Sequence, residues 1–140
     1  MINCLQLSSN DFRNRIFSFN CFNDANLMAG GVYILIAMKH DKIIPVKRWF
    51  ATDRDGILYI GKTKSFPKRL MALMAMSPYY RGKAHICGRR YRSNPNIEKK
   101  FPFKYLQVIL IKNDEPTKLE KEWLTNYSKK FAEVPPLNAI

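Results

Sequence analysis

The stretch Gly56-Ile57-Leu58-Tyr59-Ile60-Gly61-Lys62-Thr63, GILYIGKT, decides how this chain is read. Letter for letter it satisfies G-x-x-x-x-G-K-[ST], the pattern of a loop that wraps nucleotide phosphates. Such a loop follows a buried strand and turns its backbone N–H groups onto an anion at a helix N-terminus. Here the residues between the glycines are Ile57, Leu58, Tyr59 and Ile60, all strand formers, and the preceding Ala51 to Asp55 are polar and turn-like. Strand and loop are therefore in the wrong order for that chemistry. The apolar run VILI is followed by Lys112 and Asn113 before Asp114, where a metal-holding Asp would be needed directly, and the chain has little room for several parallel βαβ units. Nucleotide hydrolysis is the least favoured reading, and 57–60 is expected to be a strand.

Upstream, Gly30-Gly31 opens GGVYILIAMK, whose β-branched and aromatic content over 31–38 predicts a well-buried strand, antiparallel to 57–60 if the connection folds straight back. Residues 39–55 mix charges around Pro45 and end on the turn signal Asp53-Arg54-Asp55-Gly56, so they read as a loop or irregular hairpin. Downstream, Phe66, Leu70, Leu73 and Met74 recur at helical spacing, with Ser65 as cap and Pro67 in the first turn. Residues 78–104 carry eight Lys or Arg and one acid, Glu98, and read as a long basic connection. Tyr105 to Ile111 predicts a third strand, and Asp114 or Thr117 opens a second helix carrying Leu119, Trp123, Leu124, Tyr127 and Phe131. Near the N-terminus, Phe12, Ile16 and Phe19 suggest a short helix over 9–19, capped by Ser9, Asn10 or Asp11. The order strand, strand, helix, strand, helix predicts one α+β domain over 1–140, a small three-stranded antiparallel sheet flanked by helices, with 1–28 as a helical extension.

The 140 residues suit one compact domain, and 46% hydrophobic with 25% charged residues excludes a disordered chain. The 24 Lys and Arg against 11 Asp and Glu leave a net charge of +13, a self-repulsion that a polyanion relieves, so nucleic acid is the expected partner. A membrane is not expected as one, because no run approaches the ~20 apolar residues of a spanning helix and no basic amphipathic helix stands out. MINCLQLSSNDFRNRIFSF is broken by polar and charged residues and lacks the apolar centre of a secretion signal, so an intracellular, cytoplasmic protein is expected. Cys4, Cys21 and Cys87 are odd in number and widely spaced, which fits reduced thiols, and His85-Ile86-Cys87 is too isolated for a zinc site.

Gly31-Val32-Tyr33 set beside Tyr59-Ile60-Gly61 resembles the GIY-YIG nuclease family, and the likeness continues through Lys62, Arg69 on the next helix, Glu120 on the last helix and Asn138 near the C-terminus. Residues 30–138 are covered, and the ordered set is far more specific than either triplet. Against the family pattern, Tyr33 and Tyr59 lie 26 positions apart, so 39–55 reads as an insertion. Leu73 stands where a His or Tyr often follows Arg69, leaving that role absent or filled by Tyr79, Tyr80 or His85, and the gap from Glu120 to Asn138 is longer than usual.

The resemblance implies metal-dependent hydrolysis of a phosphodiester, in DNA rather than RNA, with Tyr33, Tyr59, Lys62, Arg69, Glu120 and Asn138 at the site. Tyr33 would be the general base. With an ordinary pKa near ~10 a tyrosine is a poor base at neutral pH, and Lys62 is the sequence's candidate cation to lower it. Tyr59 would either orient water or hold phosphate, and Arg69, at the edge of its helix's apolar stripe, would grip phosphate oxygens. Glu120 falls near ~100° within an apolar arc of about 140° on the last helix, whereas Glu122 faces solvent. A carboxylate there is either the ligand of one Mg²⁺ or Mn²⁺, with waters and phosphate completing the shell, or half of a capping box with Thr117. Arg81, Lys83, Arg89, Arg90, Arg92, Lys99 and Lys100 would track phosphates without specifying sequence. The alternative is a non-catalytic nucleic-acid-binding module on the same fold. A homodimer cutting both strands is compatible with the chain, but no apolar seam calls for one.

Overall fold

The computed structural model describes residues 2–6, 30–73, 76–77 and 86–138. Its strands are β1 (Ile2–Gln6), β2 (Gly31–Lys39), β3 (Lys42–Ile43), β4 (Val46–Lys47), β5 (Thr52–Asp53), β6 (Tyr59–Thr63) and β7 (Leu106–Lys112). Its helices are α1 (Phe66–Leu73), α2 (Ile86–Arg92), α3 (Pro95–Lys100) and α4 (Pro116–Phe131). The result is an α+β fold around a small antiparallel sheet. The apolar strand β2 is the sheet's centre, with β7 on one side and β6 and the short β3 on the other. The sheet has five strands where three were expected, because β3 folds back on the end of β2 and β1 adds to the outer edge of β7, with Ile2 opposite Ile111 and Gln6 opposite Gln107. Strand addition at an edge rests on backbone hydrogen bonds and leaves only a weak side-chain pattern. The helix expected over 9–19 lies outside the described residues.

Directly opposed residues in paired strands share a face. One face carries Tyr33, Leu35, Ala37, Tyr59, Leu106, Val108 and Leu110, which join Phe66, Leu70 and Leu73 of α1 and Cys87 and Tyr91 of α2 in the hydrophobic core. Each such large side chain contributes about 1.5–3 kcal/mol on leaving water. The other face carries Ile34 and Ile60, against which α4 sets Trp123, Tyr127 and Phe131. Among the described residues no helix is long and apolar enough to cross a membrane.

The strand expected over 57–60 forms two residues later, as β6, because its ladder partners are Gly31 to Leu35 at the start of β2. Lys62 and Thr63 are thereby drawn into the sheet. Residues 39–55 resolve into two hairpins. His40 and Asp41, at φ 53° and 62°, make a two-residue turn between β2 and β3, the doubly left-handed turn that matches strand twist. The second hairpin pairs Val46 with Asp53 and Lys47 with Thr52 around the loop Arg48 to Ala51. From Ile86 onward, the described part of the expected basic connection is largely helical. In α2 the buried Cys87, Gly88 and Tyr91 are masked in sequence by the arginines between them, and Asn94 caps α3 by accepting from the backbone N–H groups of Asn96 and Ile97.

Pro116 occupies the first turn of α4, and the cap position falls on Glu115, one residue beyond Asp114 and two before Thr117. The fixed φ of proline suits that first turn, where its missing N–H costs nothing. Thr117 is thus inside the helix and forms no capping box with Glu120.

Candidate functional site

The register of β2 on β6 sets Tyr33 opposite Gly61 and Leu35 opposite Tyr59, so the two tyrosines lie on one face, with ring centroids 5.7 Å apart and planes inclined at 39°. Gly61 is the space they occupy. A Cβ there would come within 2.5 Å of both the Tyr33 hydroxyl oxygen and Cε1 of Tyr59. Gly31 is constrained on its other side, since a Cβ would be driven against the Ile111 carbonyl of β7. Both glycines therefore shape the backbone, and the amides of 59–63 belong to a strand, where the phosphate-loop pattern would require an anion nest.

Tyr33 is 1% exposed, and its hydroxyl has no partner in hydrogen-bonding geometry among the described residues. Burial is the main cause of a pKa raised far above the ordinary tyrosine value, with the neighbouring Tyr59 adding to it. The opposing cation is Arg69 on α1, whose guanidinium carbon lies 6.0 Å from the centroid of the Tyr33 ring. Arg69 Nε is likewise buried without a partner among the described residues. Two unsatisfied polar groups side by side cost about 1–3 kcal/mol each. Left unpaired, they give the fold no hydrogen bond, and each is a donor that an anion or water can satisfy.

Lys62 stands opposite Val32, one residue out of phase with Tyr33, so its side chain leaves on the α4 side of the sheet. There its Nζ donates to Thr117 Oγ1 at 3.2 Å and lies near enough to Glu120 to lower that carboxyl's pKa. The expectation that Lys62 tunes Tyr33 is corrected on this point. The period of two along a strand sends adjacent residues to opposite faces, and Arg69 takes the cationic position.

Glu120 is half-buried near the start of α4. Burial raises its pKa, the nearby Lys62 opposes that shift, and its charge in turn raises the pKa of Tyr59. Among the described residues no three His, Cys, Asp or Glu side chains cluster to hold a metal. Mg²⁺ commonly takes only one or two protein carboxylates, with water and substrate phosphate as the remaining ligands. Glu120, a single half-buried carboxylate that opens into a groove along α4, fits that demand.

Asn138 closes the outer edge of β6. Its Oδ1 accepts from the Ile60 N–H at 3.0 Å and its Nδ2 donates to the Ile60 carbonyl at 2.8 Å, while the Leu137 N–H donates to the Leu58 carbonyl at 2.9 Å. The amide imitates a neighbouring strand and positions β6. Tyr59 and Lys62 thus lie on β6, Tyr33 stands opposite Gly61, Arg69 lies over the Tyr33 ring, Asn138 binds Ile60, and Glu120 is within electrostatic reach of Lys62 and Tyr59.

Of the expected phosphate-tracking residues, Arg89 and Arg92 of α2 and Lys99 and Lys100 of α3 are exposed. Arg90 is half-buried and donates to the Leu137 carbonyl at 3.0 Å, so part of its guanidinium fastens the C-terminal segment. Arg81 and Lys83 lie outside the described residues.

Two residues enter that the sequence reading had not placed at the site. Cys87 is fully buried against the tyrosines, its thiol pushed up to about 12 by burial despite Arg90 and Arg69 nearby, and its charge would raise both tyrosine pKa values. No spacing signal marks it. Asp53 is 1% exposed and accepts from the backbone N–H groups of Asp55 and Ile57, each at 2.9 Å, and from the Tyr127 hydroxyl at 3.0 Å. The turn signal Asp53 to Gly56 was visible, but the partner on α4 was not. Neither the family models, the curated proteins nor the solved structures compared with this chain gave a match.

Proposed function

We propose that this chain is a divalent-metal-dependent endonuclease of GIY-YIG type that hydrolyses phosphodiester bonds in DNA. The observation that carries the reading is the meeting of Tyr33, Tyr59 and Arg69 around Gly61, with two buried polar atoms lacking partners among the described residues and Glu120 within electrostatic reach of Tyr59. Arg69 holds a phosphate oxygen and offsets the charge that develops on it. Tyr33 accepts the proton of the attacking water, and Tyr59 holds that water or the phosphate in line. Glu120 would hold a Mg²⁺ or Mn²⁺ ion, which would supply positive charge to offset that of the phosphate. The net charge of +13 provides the attraction to a polyanion.

Supercoiled plasmid incubated with the protein and Mg²⁺ is expected to be nicked or linearised, and EDTA to spare it completely. Retention on DNA that weakens with salt, with no cutting under Mg²⁺ or Mn²⁺, would establish the non-catalytic binding module in its place.

The pH dependence follows from Tyr33. Its raised pKa leaves the hydroxyl protonated at neutral pH, so the basic form grows as pH rises. Below that pKa, kcat/KM is expected to climb about tenfold per unit from roughly pH 6 to 9, and Tyr33→Phe to leave a low, flat profile. A plateau reached below neutrality, or a slope unchanged in Tyr33→Phe, would place the base elsewhere.

A further inference from the structure

The second hairpin carries the most exposed large apolar side chains among the described residues, Trp49 at 84% and Phe50 at 74%. They sit at the tip of a loop that is held firmly at its base. Arg48 Nη2 pairs with Glu133 Oε1 and donates to the Val134 carbonyl at 2.7 Å, and the Trp49 N–H donates to Glu133 Oε2 at 2.6 Å. At the other end of the hairpin, Asp53 ties the chain to Tyr127. Neither attachment involves the aromatic rings, and an apolar pair left in water by a fastened loop calls for a partner.

The surroundings indicate which partner. Glu120 opens into a groove along α4 lined by Lys121, Leu124, Thr125, Ser128 and Lys129. At Ser128 this groove meets a cleft lined by Arg90, Asn94, Asn138, Glu133 and Arg48, the residue immediately before Trp49. A path lined by Lys121, Lys129 and Arg90 therefore runs from the candidate metal ligand to the Arg48–Glu133 pair at the foot of the aromatic tip. Two side chains form too small a patch for a protein interface, which takes roughly 800 Å² per partner. They are enough for bases, which stack on exposed aromatic rings without regard to sequence, and a pre-fastened loop loses little entropy in receiving them.

We propose that Trp49, seconded by Phe50, is a stacking platform for unpaired nucleotides, so that the preferred substrate carries a single-stranded or flipped segment beside the duplex that is cut. The proposal rests on the functional reading, and its test reads binding alone. Glu120 and Glu133 are 13 residues apart, most of them within α4, which gives about 20 Å at ~1.5 Å per residue, or about six nucleotides at ~3.4 Å each.

The test is binding by the full chain carrying Glu120→Gln, measured by anisotropy with a labelled blunt duplex and with the same duplex bearing a single-stranded extension. The extended duplex is expected to bind at least about tenfold more tightly and to quench tryptophan emission, Trp49→Ala to remove both effects, and Trp49→Tyr to retain the preference. Thermal midpoints should be unchanged, since the ring is exposed. Equal affinity for the extended duplex with and without Trp49→Ala would overturn the platform while leaving the nuclease reading standing. Absence of binding to either DNA would overturn both. A dimer that Trp49→Ala dissociates, with DNA affinity unaltered, would assign the tip to a second copy of this chain and also overturn the proposal.

Discussion

Glu120→Gln and Tyr33→Phe are each expected to lower plasmid cleavage at least ~10³-fold while leaving affinity for DNA within about threefold. Glu120→Gln keeps the side chain's size but removes the carboxylate charge that, among the described residues, acts on Tyr59 and is the proposed metal ligand, and losses of ~10²–10³ follow the removal of even one neutral donor to a transition state. Tyr33→Phe deletes a hydroxyl that is buried without a partner among the described residues. Its loss costs no hydrogen bond of good geometry in the resting protein, so the variant should be at least as stable as the wild type while it becomes inactive. That opposition separates a functional hydroxyl from a structural one. Cleavage by Glu120→Gln at the unsubstituted rate would remove the metal assignment, and a destabilised Tyr33→Phe would show that the hydroxyl serves the fold.

Asp53→Ala is expected to have the largest effect on stability, about 3–5 kcal/mol, read as a fall in thermal midpoint of roughly 10–20 °C. The carboxylate is 1% exposed, and its removal takes the acceptor from two part-buried backbone N–H groups and from the buried Tyr127 hydroxyl. It also releases the turn that delivers the chain into β6, so activity should fall along with stability. Tyr127→Phe removes one of the three donors and should cost about 1–2 kcal/mol. A midpoint within a few degrees of the wild type in Asp53→Ala would mean that water replaces the carboxylate and that the turn does not depend on it.

Much of the architecture around β6 was legible in the residues themselves. The apolar run of β2, the spacing of Phe66, Leu70 and Leu73 and the pattern of α4 are local, and each has one good solution. The buried positions of α1 agree with that spacing, and Glu120 is half-buried while Glu122 is exposed, as the helical angles require. The elements misread were those whose stability comes from elsewhere. β1 forms by pairing with β7, and α2 forms because Cys87 and Tyr91 are wanted by a core assembled from distant strands. The start of β6 moved because its partners on β2 fix its limits.

Composition and periodicity by themselves determined an α+β chain, a polyanion as the expected partner, and a strand where a phosphate loop was spelled. Only the tertiary structure decided that Lys62 faces Glu120 while Arg69 faces Tyr33, because the face a strand residue takes depends on a register set across the sheet. It also decided that Asn138 is spent on the backbone of Ile60 and that Asp53 reaches Tyr127, since hydrogen bonds spanning 74 and 78 residues leave no periodic trace in a sequence.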